Sequence, residues 1–173
     1  MRMSIVLIGY RGCGKTTIGN RLADRLWQPF VDVDDLIVTA AGKNIKRIFE
    51  EDGEPAFREL EARAVADVSK LSEHVIGLGG GTLGREDNRR VLRESGHKII
   101  YLKCEPNELH RRIQSDPQSE STRPNLTSLG GGIEEVQKML AEREPFYRQT
   151  MHAELDVTHL TPEDAVVYIV RLT

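Results

Sequence analysis

Gly9-Tyr10-Arg11-Gly12-Cys13-Gly14-Lys15-Thr16 decides how the rest of this chain is read. The apolar run Ile5-Val6-Leu7-Ile8 precedes it, and Thr17-Ile18-Gly19-Asn20-Arg21-Leu22-Ala23 follows. The spacing is G-x-x-x-x-G-K-[ST], a phosphate-binding loop set between a strand and a helix. The glycines let backbone N–H groups from Gly12 to Thr17 curl around phosphate oxygens, in conformations that a β-carbon hinders. A helix starting near Lys15 turns its unpaired N–H groups and the positive end of its dipole toward the same anion. Lys15 adds a full charge at the β- and γ-phosphates, and the Thr16 hydroxyl suits Mg²⁺. A chain of this length meets the four defined positions by accident on the order of once in a hundred. The stretch reads as a nucleotide site.

The whole chain sets the frame. Its 173 residues fit one domain with a sizeable core, and 39% hydrophobic with 29% charged residues is a globular composition. A net charge of -3 and a pI near 6.0 argue against a nucleic-acid partner. Cys13 and Cys104 lie far apart, match no metal spacing and read as free thiols of a reducing compartment. The first apolar run is too short for a signal-peptide core, and no run approaches the roughly 18 apolar residues of a membrane span. A cytoplasmic location is therefore expected.

Short apolar runs alternate with amphipathic stretches, which predicts an α/β fold: a parallel sheet covered by helices on both faces. The strand candidates are Ile5–Ile8, Phe30–Val33, His74–Leu78, Lys98–Leu102 and Leu155–Val157. The first helix is expected over Lys15–Leu26, and the last opens with Thr161 as cap and Pro162 at its first position. Two segments interrupt the rhythm. Residues 34–73 carry no strand signal and read as two or three helices, stopped at Gly42 and Gly53 and restarted at Asn44 and Glu54-Pro55. That exceeds one crossover and suggests a small helical subdomain. Residues 114–132, rich in Ser, Pro, Thr and Gly, read as a mobile lid. The core of the single domain would then be 1–33, 74–113 and 133–173.

Ligands of such sheets lie beyond the carboxyl ends of the strands. The second strand ends in Asp32-Val33-Asp34, where alternation would put both carboxylates on one side, repelling unless Mg²⁺ or a substrate hydroxyl lies between them. The plainer alternative is an acidic turn capping the next helix. The third strand runs into Gly79-Gly80-Gly81, whose missing side chains let backbone approach a ligand closely; a flexible turn is the alternative. Glycines there in place of an aspartate leave Asp32 as the metal-side carboxylate. Arg58 lies at the edge of a helical stripe of Phe57, Leu60, Ala64 and Val68, Arg123 sits in the lid segment, and Arg148 lies near the end of the helix that follows. Each is compatible with a surface arginine, but a lid arginine could neutralise charge in phosphoryl transfer, and forked guanidinium groups suit an acceptor carboxylate.

Taken together the motifs resemble shikimate kinase. They comprise Gly9 to Thr17, Asp32-x-Asp34, Ile48-Phe49-Glu50-Glu51-x-Gly53-Glu54-x-x-Phe57-Arg58-x-x-Glu61, Gly79-Gly80-Gly81, Arg123-Pro124-x-Leu126 and Arg143-x-Pro145-x-Tyr147. The resemblance implies a nucleoside-monophosphate-kinase-like phosphate-loop fold, with a five-stranded parallel sheet, a helical acceptor-binding insertion and a lid. It implies ATP-dependent phosphorylation of the shikimate 3-hydroxyl in aromatic amino-acid biosynthesis, with ATP and Mg²⁺ required. It places Asp34, Arg58, Gly79, Gly80, Gly81 and Arg148 at shikimate, with the two arginines on its carboxylate. It places Arg112 and Arg123 at ATP, and Thr16 with Asp32 at the metal. Lys15, Asp34 and Arg123 are the expected catalytic residues. A kinase for another hydroxy acid such as gluconate, or a silent nucleotide-binding module, are the competing readings. A monomer binding only small molecules is expected.

Overall fold

The computed structural model describes residues 3–116 and 131–173. Its elements alternate from the start: β1 (Ile5–Ile8), α1 (Lys15–Leu26), β2 (Phe30–Asp32), α2 (Val33–Ala41), α3 (Ile45–Glu51) and α4 (Gly53–Val68). β3 (Val75–Gly77), a 3₁₀ turn (Thr82–Gly84), α5 (Glu86–Glu94), β4 (Lys98–Lys103) and α6 (Pro106–Ser115) follow. The chain closes with α7 (Ile133–Thr150), β5 (Ala153–Asp156) and α8 (Pro162–Leu172). The five strands form one parallel sheet in the order β2-β3-β1-β4-β5. All four residues of β1 are buried, so the central strand is covered on both faces. Among the described residues no helix is long and apolar enough to cross a membrane.

This topology decides where a ligand can sit. The chain leaves β1 toward β2 but leaves β4 toward β5, and β1 and β4 are neighbours. Their connections diverge at the carboxyl ends of the strands and open a crevice there. The loop from Gly9 to Gly14 lies at its mouth. Gly9 must be a glycine: at φ +149, a β-carbon there would lie 2.6 Å from the Leu102 carbonyl oxygen and 2.8 Å from Cys13 Sγ.

Between β2 and β3, the end of α2 and the start of α3 fall where their caps require. Gly42 ends α2 in the left-handed conformation, and Asn44 caps α3 by accepting from the Arg47 N–H. Four strands differ by one or two residues from the sequence expectation. β3 (Val75–Gly77) is shorter than His74–Leu78 and β4 runs on to Lys103, and for the other two the cause is visible. β2 stops at Asp32, because that side chain accepts the Asp34 N–H and starts α2 at Val33. Asp34 therefore stands in the first turn of a helix, where a carboxylate suits the dipole, and not on a strand beside Asp32. β5 begins at Ala153, earlier than Leu155, since an edge strand does not need an unbroken apolar run.

Candidate active site

Two clefts meet at the carboxyl end of the sheet. The larger is walled by Gly12, Gly14, Lys15, Thr16 and Thr17 of the loop, by Asp32, and by Arg112 and the 157–162 turn. The smaller is walled by Arg58, Gly79, Gly80, Gly81 and Arg143, with Phe49 and Phe57 on its apolar side. Asp34, Arg11 and Ile45 border both.

The nucleotide-type cleft is built as its motif requires. Gly14 caps α1 at φ 99, a conformation that leaves the first N–H groups of the helix pointing outward. Lys15 Nζ donates to the carbonyls of Gly9 (2.8 Å) and Tyr10 (3.0 Å), which holds the ammonium at the mouth of the loop. The Cys13 side chain is fully buried, so only its backbone can serve the cleft. Thr16 Oγ1 donates to Asp32 Oδ2 at 3.0 Å, while Asp32 Oδ1 accepts from the Asp34 N–H. The capping alternative is what the fold shows, since Oδ1 caps α2, while Oδ2 of the same carboxylate faces the loop. Arg112 braces the far wall. It donates to the carbonyls of Val157 (3.0 Å), Thr158 (3.3 Å) and Cys13 (3.5 Å) and pairs with Glu108 at 2.7 Å. Arg111 and Arg112 together hold the Glu108 carboxyl down to about 2.

The second cleft is cationic at one end. A β-carbon at Gly81 would lie 3.1 and 3.2 Å from the two terminal nitrogens of Arg58 and 3.3 Å from Arg143 Nη2. One at Gly80 would lie 3.3 Å from Arg143 Nη1, and one at Gly79 would lie 2.9 Å from Asp34 Oδ1. The glycine triplet is therefore the floor on which two guanidinium groups and one carboxylate converge. Arg58 is held by the buried Glu61 at 2.7 Å and by Glu54 at 3.4 Å. Arg143 lies over the Tyr10 ring, 5.5 Å from its centroid. Tyr147, one helical turn further along α7, donates its hydroxyl to the Gly80 carbonyl at 2.6 Å. Burial pushes that phenol's pKa far up, so it stays a donor and ties the floor to α7.

A sequence model of shikimate kinase matches residues 11–173, which includes every wall of both clefts. The chain belongs to the shikimate kinase family. Shikimate kinase 2 of Enterobacter sp. is 42% identical over 98% of this chain and 95% of its own length. Shikimate kinase of Rhodopirellula baltica is 40% identical over 96% of this chain and 88% of its own. Among solved structures, shikimate kinase from Acinetobacter baumannii in complex with shikimate superposes with a TM-score of 0.91 at 28% identity, covering 99% of this chain and 93% of that one. The Bacteroides thetaiotaomicron enzyme gives 0.86 at 31% identity, over 98% and 97%. As a family member the chain is a kinase that phosphorylates shikimate with ATP as donor, on the five-stranded parallel phosphate-loop fold described above.

The structure does not gather every residue expected of a shikimate kinase site. It brings Asp34, Arg58 and Gly79–Gly81 together, and sets Lys15, Thr16 and Asp32 beside them. It does not bring Arg148, which points away from the cleft and pairs with Glu144 (2.8 Å) and Glu154 (2.7 Å) on the surface. The second cleft arginine is Arg143. The reason is helical phase: Val136, Leu140, Tyr147 and Thr150 form the buried stripe of α7, and Arg143 continues it at i+3 and i−4. Arg148 lies one residue beyond Tyr147, roughly 100° around the helix. Tyr147 and Glu61 also belong to the cleft's framework, though sequence reasoning assigned neither a role there. Arg123 lies outside the described residues.

Proposed function

We propose that the enzyme transfers the γ-phosphoryl group of ATP to the 3-hydroxyl of shikimate, with Arg58 and Arg143 holding the acceptor's carboxylate and Asp34 orienting its hydroxyl. The observation that carries this reading is the position of Asp34. It borders the guanidinium-lined cleft and the phosphate-loop cleft together, so a ring anchored by its carboxylate would present a hydroxyl toward the terminal phosphate. Forked guanidinium groups suit a planar carboxylate, and the Phe49 and Phe57 wall offers a surface to a carbon ring.

The chemistry asked of the chain is mainly placement. Phosphoryl transfer passes through a loose transition state with little bonding to the nucleophile, so alignment and charge neutralisation outweigh proton abstraction. The N–H groups at the start of α1 and the Lys15 ammonium gather negative charge on the donor's phosphates. Asp34 accepts a hydrogen bond from the hydroxyl and aligns its lone pair with the phosphorus. The Thr16 hydroxyl and Asp32 carboxylate form an oxygen donor pair that suits Mg²⁺. Among the described residues no cluster of three or more His, Cys, Asp or Glu side chains gathers, which fits a cation completed by phosphate oxygens and water. Bound there, Mg²⁺ would supply further charge neutralisation on the phosphates.

Acceptor-dependent ADP release, measured with shikimate and with gluconate at saturating ATP–Mg²⁺, tests the assignment. Saturable turnover is expected with shikimate and none with gluconate. Equal rates with the two acids would show that the cleft selects only for a carboxylate. ATP hydrolysis indifferent to either would overturn the acceptor site.

A further inference from the structure

Thr82 opens the 3₁₀ turn and is fully buried. A buried hydroxyl needs a partner. Thr82 Oγ1 donates to Glu61 Oε1 at 2.6 Å, and Glu61, itself 2% exposed, accepts from Arg58 Nη1 through its other oxygen at 2.7 Å. The two oxygens of one buried carboxylate are thus divided between a hydroxyl and a guanidinium. That division matters because the terminal torsion of a glutamate is broad and does not by itself set the plane of the carboxylate. With a donor on each oxygen the plane is fixed, and the direction of the Arg58 fork is fixed with it.

Thr82 is in turn held from behind. Its N–H reaches the Gly79 carbonyl at 3.2 Å, and its own carbonyl accepts from the buried Asn88 Nδ2 at 2.9 Å. Arg89 donates to the next carbonyl in the turn, that of Leu83, at 2.5 Å, and stacks over the Phe146 ring. The hydroxyl also stands beside the glycine floor, where a β-carbon at Gly79 would lie 3.1 Å from Thr82 Oγ1, 3.5 Å from Glu61 Oε1 and 2.9 Å from Asp34 Oδ1.

We propose that Thr82 is a positioning residue for the acceptor: by fixing Glu61 it aims Arg58 at the shikimate carboxylate. The inference rests on the reading of Arg58 given under Proposed function. It makes the α5 end of the molecule part of the acceptor site, although neither Thr82 nor Asn88 faces the cleft. It also separates Thr82 from a hydroxyl that merely satisfies a buried polar group, because only the positioning role acts on one substrate and acts through Arg58.

The test uses T82V, which keeps the shape and removes the hydroxyl, with T82S as rescue, each made alone and in an R58A background. Initial rates of ADP release are measured against shikimate and against ATP. T82V is expected to raise the shikimate KM about tenfold, the scale of a lost hydrogen bond to a buried charge. Its kcat and ATP KM should stay within about twofold, T82S should return the shikimate KM to near wild type, and T82V should add less than about twofold once Arg58 is gone. An unchanged shikimate KM in T82V, an equal penalty in the R58A background, or parallel losses in both substrates would each overturn the role. If T82V does not yield folded protein, judged by stabilisation with ADP–Mg²⁺, T82A takes its place with the same expected results. A wild-type protein that releases no ADP with shikimate would overturn the underlying site reading, and this proposal with it. A working wild type with an indifferent T82V would overturn this proposal alone.

Discussion

Replacing Arg143 by alanine separates the proposed acceptor site, which uses Arg143, from the sequence expectation, which uses Arg148. The Arg143 guanidinium lies within 3.3 Å of the positions that β-carbons would take at both Gly80 and Gly81, directly above the glycine floor. Deleting it removes one of the two forks proposed to hold the acceptor carboxylate. A hydrogen bond to a charged group contributes about 1.5–3 kcal/mol, so the dissociation constant for shikimate should rise about 10- to 150-fold. The fold should lose little, because the half-buried side chain contributes a cation–π contact over Tyr10 of about 1 kcal/mol or less. R143K should fall between, since it keeps the charge and loses the planar fork. Arg148→Ala is the matched control, an exposed arginine on the same helix that pairs with Glu144 and Glu154. Its shikimate affinity should equal wild type. Shikimate binding is best followed by calorimetry beside the rate assay, since KM equals a dissociation constant only when chemistry is slow. The reasoning is refuted if R148A weakens shikimate as much as R143A, or if R143A leaves the affinity unchanged.

Two further predictions use the packing. Gly81→Ala and Gly19→Ala insert the same methyl group into different surroundings. At Gly81 its nearest neighbours are the ends of the flexible Arg58 and Arg143, at an ordinary φ of -99, so Tm should hold while the shikimate KM rises several-fold. At Gly19 it would lie 2.3 Å from the Phe30 ring, so Tm should fall by about 3–8 °C, net of the helix propensity gained, with KM values unchanged. His97, 6% exposed, has its pKa lowered by burial, against smaller opposing hydrogen bonds to the backbone of Val68 and Ser69. The unfolded chain therefore binds the proton first, and stability should fall as pH drops below about 6.5, by no more than about 1.4 kcal/mol per pH unit from this group. Urea midpoints at pH 7.5 and 5.5 should show that fall in wild type and less of it in H97N; an identical pH dependence in both would remove His97 as its source.

The phosphate loop was legible because its chemistry depends on backbone conformation, and glycines at fixed spacing betray that conformation directly. The sheet was legible because central strands buried on both faces leave unbroken apolar runs, as at Ile5–Ile8. The arginine-lined cleft proposed for the acceptor was harder, since it is assembled from side chains that meet only in space. Glu61 shows why. A glutamate inside the α4 stripe reads as a solvent-facing residue, and the expected stripe used Leu60 instead. In the fold Glu61 is buried and Leu60 only half-buried, because Arg58 and Thr82, the latter 21 residues away, supply its partners. Arg143 did leave a signal. An arginine at the 136-140-143-147-150 spacing of an otherwise buried stripe is a cation aimed inward, whereas Arg148 falls off that stripe. The Arg143-x-Pro145-x-Tyr147 motif marks the segment, and helical phase within it separates the inward arginine from the outward one. Asp34 is the reverse case: strand alternation does not reach it, because Asp32 has already started a helix.

The central claim is that Asp34 places the acceptor hydroxyl against the terminal phosphate at the junction of the two clefts. Its most direct test is the kcat of ADP release at saturating ATP–Mg²⁺ and shikimate, for wild type and D34N side by side, with the product's phosphoester position read by ³¹P–¹H correlation. The account predicts a single 3-phosphorylated product from wild type and a kcat lower by about a hundredfold in D34N, the scale of losing alignment. A D34N enzyme that turns over at the wild-type rate, or phosphate found on another hydroxyl, would contradict it.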